Sequence, residues 1–310
     1  MAQLRLNDIT REQIIVVENR SKRPKDYKSC EVVERVSYKE SCPFCVGNEE
    51  MTPPEVLRID DPWNVRVVEN KFPILNNEGE VTGYHYVVIE GRDHSKNIHD
   101  MEVDEFEKVV KAFIEVSRIL YQKEGVKYVQ VFKNYKKEAG ASLEHPHSQI
   151  IAINRMPDRI KGLIEKEKEF YEKHGECLTC SKIKDEIINK ERIIYLDEYF
   201  LIFCPYASIF PYEMAVVPIR HKSSLLSLNE SDIKALSRVL HFAIKSLIEN
   251  VGDVAYNMFF EFIKDEVEYH HYQIRICPRI SIHAGFELAT GFYTNVVSPE
   301  RAARILRGQD

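Results

Sequence analysis

Two Cys-x-x-Cys pairs, Cys42 with Cys45 and Cys177 with Cys180, each open the same ordered series of motifs, so the chain reads as one plan written twice. A repeat of this length constrains a fold more than local propensity does, because each copy has to build the same supersecondary unit. After Cys45 come two strand-like runs, Val65–Glu69 and 84–90, and then Asp93-His94-Ser95-Lys96. Phe106, Val109, Val110, Phe113, Ile114 and Ser117 follow at helical spacing. A strand over 128–132, a short loop, and His145-Pro146-His147 leading into a strand over 149–153 complete the first copy.

The second copy keeps the order. After Cys180 come strands over 193–196, 199–203 and 213–219, then Arg220-His221-Lys222-Ser223. Ile233, Leu236, Val239, Leu240, Ala243, Ile244 and Leu247 form one helical stripe, with Asn229 as N-cap and acidic Glu230 and Asp232 in the first turn. A strand over 255–262, a charged loop, and His271 leading into 272–277 finish it. Between the copies, 156–176 is rich in Lys and Glu with few apolar positions, and reads as an exposed connecting helix without functional residues. The expected fold is α+β, mainly antiparallel sheet, with one main helix per half: an N-terminal half over 1–155, a connector over 156–176 and a C-terminal half over 177–310.

Within the 310 residues no apolar run approaches the ~20 needed to span a bilayer, and the charged N-terminus lacks a signal-peptide core. The expectation is a cytoplasmic protein with no membrane partner. A formal net charge of −6 argues against nucleic acid as a partner, while leaving room for a local basic phosphate site. Seven cysteines, an odd number, do not suggest a disulfide framework. Cys204 and Cys277 lie in apolar runs and read as small buried hydrophobes.

Cys42, Cys45, His94 and His145 make a Cys2His2 set: a tight turn brings two thiolates to one ion, and two His from other elements complete a tetrahedron. Cys177, Cys180, His221 and His271 make the matching set, with His270 as the alternative to His271. Zinc is the expected ion, with iron the alternative at the second set.

On a strand, His145, His147 and Gln149 share a face. One His can then be a ligand while the next faces a substrate. A neutral imidazole at His147 is a competent nucleophile at phosphorus near pH 7, and Gln149 can hold a non-bridging oxygen. The small loop Gly140-Ala141-Ser142 lets backbone N–H groups and the Ser142 hydroxyl approach a phosphate, and Arg20 and Arg23 can clamp one.

Arg20-Ser-Lys-Arg23-Pro24, Cys42-Pro-Phe-Cys45, Val68-Glu-Asn70-Lys-Phe72-Pro, Asp93-His94-Ser-Lys96, Phe132-Lys-Asn134, the run from Ser142 through His145-Pro-His147-Ser-Gln149, and Gly285-Phe286-Glu287 span nearly the whole chain. As a set they resemble the galactose-1-phosphate uridylyltransferase branch of the histidine-triad superfamily. The resemblance implies two histidine-triad-like halves and a ping-pong reaction between a sugar nucleotide and a sugar 1-phosphate. It implies His147 as nucleophile with Gln149 as its phosphate-binding partner, Asn134 and Ser142 at the phosphates with Arg20 and Arg23 near them, Asn70 and Phe72 near the nucleotide, and Glu287 at sugar hydroxyls. It also implies a zinc site and a homodimer. Aligning His271 with His145 puts Gln273 where His147 stands, so the C-terminal half is a degenerate repeat without a nucleophile.

The run Glu287-Leu-Ala-Thr-Gly-Phe-Tyr293-Thr-Asn295 departs from well-studied bacterial uridylyltransferases and resembles both plant-type ADP-glucose phosphorylases and divergent uridylyltransferases of microbes. The leading expectation is therefore a UDP-glucose–hexose-1-phosphate uridylyltransferase with galactose as the hexose. The alternatives are an ADP-glucose phosphorylase or another adenylyltransferase with phosphate as acceptor and, from another class, a zinc-stabilised nucleotide-binding protein without chemistry.

Overall fold

The computed structural model describes residues 2–8, 10–18 and 35–309. Two short strands come first, β1 (Gln3–Leu6) and β2 (Gln13–Val16). The first half then runs β3 (Glu55–Ile59), β4 (Val65–Glu69), β5 (Gly83–Ile89), α1 (Val103–Gln122), β6 (Tyr128–Tyr135) and β7 (His147–Ile153). Helices α2 (Asp158–His174) and α3 (Leu178–Asn189) lead to the second half: β8 (Ile193–Leu196), β9 (Phe200–Phe203), β10 (Met214–Pro218), α4 (Glu230–Val251), β11 (Tyr256–Glu261) and β12 (Gln273–Pro278). Then follow α5 (Gly285–Thr290), β13 (Phe292–Asn295) and α6 (Pro299–Leu306).

Strands β3 to β12 form one ten-stranded antiparallel sheet, in the order β3-β4-β5-β7-β6-β11-β12-β10-β9-β8. Read inward from either edge, this is one five-strand pattern used twice, meeting at the β6–β11 pair, where Phe132 lies opposite Phe259. The motif repeat is thus a pseudo-twofold of one continuous sheet.

Alternation along the strands divides this sheet into two faces. Val65, Val67, Tyr86, Val88, Val129, Val131, Ile150 and Ala152 of the first half face the main core with α1, as do Ile202, Met214, Val216, Met258, Phe260, Ile274 and Ile276 of the second with α4. Asn229 caps α4 as expected: its Oδ1 accepts from Asp232 N–H at 3.0 Å and its own N–H donates to Asp232 Oδ2 at 3.2 Å. On the opposite face Val68, Val87 and Ile89 pack against Cys42, Phe44 and Cys45, while Leu201, Phe203, Ala215 and Val217 pack against Ile183 of α3. The side chains at 85, 147 and 149 belong to this second face by the same alternation.

Two expectations need correction. The connecting helix is more than a solvated element: Ile160, Leu163 and Glu167 of α2 are buried, and Glu167 Oε2 lies 2.7 Å from His270 Nδ1. Three inward positions at helical spacing suffice to dock an otherwise charged helix. Strand β7 begins at His147, so His145 sits two residues before it rather than on it. A three-stranded sheet β1-β2-β13, in which β2 pairs parallel with β13, stands outside the repeated plan. Among the described residues no helix is long and apolar enough to cross a membrane.

Candidate active site

The Cys42–Cys45 loop lies against the second face, and Phe44 packs on both histidines of the His-Pro-His corner, its ring centroid 6.0 Å from His145 and 5.5 Å from His147. Cys45 Sγ lies 3.4 Å from His94 Nδ1 and 3.6 Å from His145 Nδ1. In the second half Cys180 Sγ lies 3.3 Å from His221 Nδ1 and 3.5 Å from His271 Nδ1. The two His rings are 5.3 Å apart at 84° in one cluster and 5.2 Å apart at 81° in the other. In each set of four residues the ligand atoms all lie within 4.8 Å of one another. Tetrahedral zinc with ordinary Zn–S and Zn–N bonds places S and N about 3.6 Å apart, so both donor sets fit such an ion.

Their surroundings fit it too. His145 Nε2–H donates to Gly91 O, His221 Nε2–H to Val267 O and His271 Nε2–H to Pro218 O, each at 2.9 Å. A carbonyl can only accept, so the proton sits on Nε2 and the Nδ1 lone pair faces the cysteines, the outer-shell arrangement of ligating histidines. Burial pushes the His145 imidazole down to about 4, which keeps it neutral. Lys39 N–H donates to Cys45 Sγ and Phe44 N–H to Cys42 Sγ, both at 3.4 Å, so each loop sulfur is met by a backbone donor. His270 stands apart from the second set and pairs with Glu167.

His147 differs in one bond. Its Nδ1–H donates to the His145 carbonyl at 2.8 Å, so the free lone pair is on Nε2, which has no hydrogen-bond partner among the described residues. Burial holds this imidazole below its ordinary pKa. On the far side of the strand, Lys133 Nζ donates to Glu90 Oε2 at 2.6 Å and to His147 O at 3.3 Å, and Ser148 Oγ–H donates to Glu90 Oε1 at 2.5 Å. The nucleophile candidate is therefore gripped through its backbone from beneath and through Nδ1 from the side.

Around it, Gln149 Oε1 accepts from His85 Nε2–H at 2.8 Å, and Asn134 Oδ1 accepts from Asn257 Nδ2–H at 2.8 Å. Asn70 Oδ1 accepts from Phe72 N–H at 2.8 Å and turns its Nδ2 toward His85, while the Phe72 side chain is 82% exposed. Gly140 closes the short turn after β6 with φ of 92°, a conformation that favours glycine, and its missing Cβ would stand 3.7 Å from Asn134 Nδ2. Ser142 is exposed on the following loop.

The structure does not bring every expected residue together. Glu287 sits on α5 beside β13, where Oε1 accepts from Thr294 Oγ1–H at 2.5 Å and Oε2 from Ala284 N–H at 3.0 Å. None of its bonds reaches the His147 corner. Arg20 and Arg23 lie outside the described residues. His85, Asn257, Lys133 and Glu90 were missed from sequence. Only His85 left a signal, a polar residue inside an apolar strand two positions before Val87, the residue that pairs with Gln149.

The matching face of the second half is built differently. Gln273 stands at the place of His147, and its Nε2–H donates to Glu261 Oε2 at 2.7 Å. Ala215 pairs with Arg275 as Val87 pairs with Gln149, and Glu213, two residues before Ala215, forms a buried ion pair with Arg275. The same diagonal contact is a closed ion pair in one half and a neutral His–amide pair in the other.

Residues 1–157 match the family model described as "Galactose-1-phosphate uridyl transferase, N-terminal domain", and residues 80–307 match one described as "Domain of unknown function (DUF4921)". The galactose-1-phosphate uridylyltransferase of Thermotoga maritima is 30% identical, over 99% of this chain and 98% of its own. The ADP-glucose phosphorylase of Arabidopsis thaliana is 29% identical, over 98% of this chain and 92% of its own. The crystal structure of an ADP-glucose phosphorylase from Arabidopsis thaliana with bound ADP-glucose superposes with a TM-score of 0.87, covering 99% of both chains at 29% identity.

Proposed function

We propose, from the premise that this chain belongs to the galactose-1-phosphate uridylyltransferase family, that it moves a nucleotidyl group between phosphates through His147. The observation that carries the reading is the His147–His145 bond: with Nδ1–H committed to a carbonyl, the neutral ring presents Nε2 as its nucleophile. Nε2 attacks the α-phosphorus of a nucleoside diphosphate sugar. An N–P bond forms, the P–O bond to the β-phosphate breaks, and a sugar 1-phosphate leaves. An acceptor phosphate oxygen then attacks the same phosphorus, the N–P bond breaks, and the imidazole is restored without net proton change. Gln149 and Asn134 offer N–H donors where charge develops on the phosphoryl oxygens.

The leading substrate pair is UDP-glucose and galactose 1-phosphate. The second reading, ADP-glucose with inorganic phosphate as acceptor, draws on the run from Glu287 to Asn295 and on the whole-length likeness to the Arabidopsis phosphorylase.

Both Cys2His2 clusters are read as zinc sites, with iron the alternative at the second. An ion in the first would supply a cross-link between the Cys42–Cys45 loop and the corner that holds His147. Glu287, which its own chain keeps apart from His147, is assigned to sugar hydroxyls in a site shared across a homodimer. None of the six cysteines of the described residues is in a disulfide, which fits a reducing compartment, the cytoplasm.

The test is intact-protein mass spectrometry after mixing with UDP-glucose, UDP-galactose or ADP-glucose. A uridylyl adduct absent from His147→Ala and discharged by galactose 1-phosphate supports the leading reading. An adenylyl adduct discharged by phosphate supports the second. No adduct from any donor with metal-replete protein removes both and leaves a nucleotide-binding protein.

A further inference from the structure

We propose that His85 and Asn257 are positioning residues, each holding the carbonyl oxygen of one site amide, Gln149 and Asn134, so that both amides present only N–H donors to the site. A carboxamide can turn either end outward, and oxygen turned toward a phosphate repels it. Which end faces out decides whether the residue assists at all.

For Gln149 the chain of donors begins at the backbone. Ile74 N–H lies 3.2 Å from His85 Nδ1, and a backbone N–H can only donate. Asn70 Nδ2 lies beside the ring, 3.4 Å from Nδ1 and 3.2 Å from Nε2, and so does not choose between them; the backbone N–H does, so Nδ1 contributes its lone pair and the ring proton sits on Nε2. Nε2–H then donates to Gln149 at 2.8 Å, and the amide atom that receives it is the oxygen. His85 is 4% exposed, and burial holds its imidazole below its ordinary pKa, consistent with one proton on the ring. The Gln149 amide nitrogen makes no bond to the described residues and keeps both hydrogens for a ligand.

For Asn134 the chain begins at another carbonyl. Asn257 Nδ2 lies 2.8 Å from Ala139 O, an acceptor only, which identifies that end of Asn257 as its NH2. The same NH2 lies 2.8 Å from Asn134, so it meets the Asn134 oxygen, and Asn134 Nδ2 turns toward the Gly140 turn. Asn257 comes from β11 of the second half, so the degenerate repeat supplies a part to the first half's site. The ion pair of Glu213 with Arg275 marks the contrast: that half encloses its polar groups instead of aiming them.

The consequence for catalysis rests on the proposed nucleotidyl transfer, whereas the orientation itself does not, and two measurements separate them. Long-range proton–nitrogen NMR on protein labelled with 15N-histidine reads the tautomer directly, His85 being assigned by its loss in His85→Gln. Protonation on Nε2 alone is expected, and a proton on Nδ1 at neutral pH overturns the proposal. The second measurement is the rate of adduct formation in a double-mutant cycle. His85→Phe is expected to slow it roughly tenfold to a hundredfold in the wild-type background and less than about twofold in Gln149→Ala. Asn257→Asp, which can accept but not donate, should behave likewise against Asn134→Ala. Equal losses in both backgrounds, with unchanged melting temperature, would mean a general packing role and overturn the proposal. Wild-type protein that forms no adduct removes the transfer reading, and the NMR result then decides the orientation alone.

Discussion

Lys133 Nζ and Glu90 Oε2 lie 2.6 Å apart in an ion pair whose side chains are 1% and 0% exposed, on the helix side of the sheet beneath His147. Such a pair adds little stability over apolar residues of similar size, but removing one partner strands the other charge at a cost of about 3–5 kcal/mol. Lys133→Met should therefore lower unfolding free energy by that amount in urea titrations, and Lys133→Met with Glu90→Leu should recover most of it. Because Lys133 also holds the His147 carbonyl, the recovered double variant should still form the nucleotidyl adduct more slowly than wild type. Full recovery of both stability and rate would mean that the pair only fills space.

Acid should loosen the β3–β4 edge. Glu55 is held down to about 2, mainly by the hydrogen bond from Arg58 and then by that from buried Arg66, at 2.6 Å. A carboxyl lowered in the folded state stabilises fully above its unfolded pKa of about 4.3, and that stabilisation is lost as pH falls from there to about 2. Glu55→Gln should be less stable by about 2 kcal/mol at pH 7, the difference shrinking steadily between pH 5 and pH 2. A gap that does not change over this range would assign the effect to packing.

Much of this was legible in the sequence because the signals were periodic or repeated. The helical stripe 106–117 became α1, and the stripe 233–247 with its Asn229 cap became α4. The recurrence of Cys-x-x-Cys and His assembled both clusters on paper, because ligand chemistry leaves few alternatives once the register is known. What could not be read depends on contacts distant in sequence. Asn257 meets Asn134 across 123 positions, and Lys133 meets Glu90 across 43. Glu167 reads as one more charged residue of a solvated helix until His270, 103 positions away, packs on it. The strands at 3–6, 13–16 and 292–295 are four residues each and lie outside the repeated plan, so no second copy marks them as it marks β8 and β9.

Gly83 tests how tightly the site strand is held. A Cβ there would lie 1.9 Å from the Ala152 carbonyl oxygen on β7, a backbone atom that cannot rotate away. Gly83→Ala must push β5 from β7, the strand that begins at His147 and carries Gln149. A loss of about 1–3 kcal/mol, as in an overpacked core, is expected by thermal or urea unfolding. Adduct formation should fall with it, since Gln149 is held from β5 by His85. A variant as stable as wild type would mean that the two strands separate there without cost.

The two Cys2His2 clusters should separate by function although their geometry is nearly the same. In the first, His145 is a ligand candidate, and its carbonyl receives the Nδ1–H of His147, so the proposed nucleophile hangs from the cluster by one hydrogen bond. In the second, His271 stands two residues before Gln273, which is bonded to Glu261 and has no nucleophilic atom to position. Cys42→Ser should lose one metal equivalent by elemental mass spectrometry and also lose adduct formation by tenfold or more, on the order expected when a ligand that orients a reacting group is removed. Cys177→Ser should lose one equivalent and some thermal stability, because it opens the loop before α3, while adduct formation at 25 °C stays within about threefold of wild type. Equal losses of adduct formation in the two variants would mean that the C-terminal cluster acts on the site through the shared β6–β11 pair.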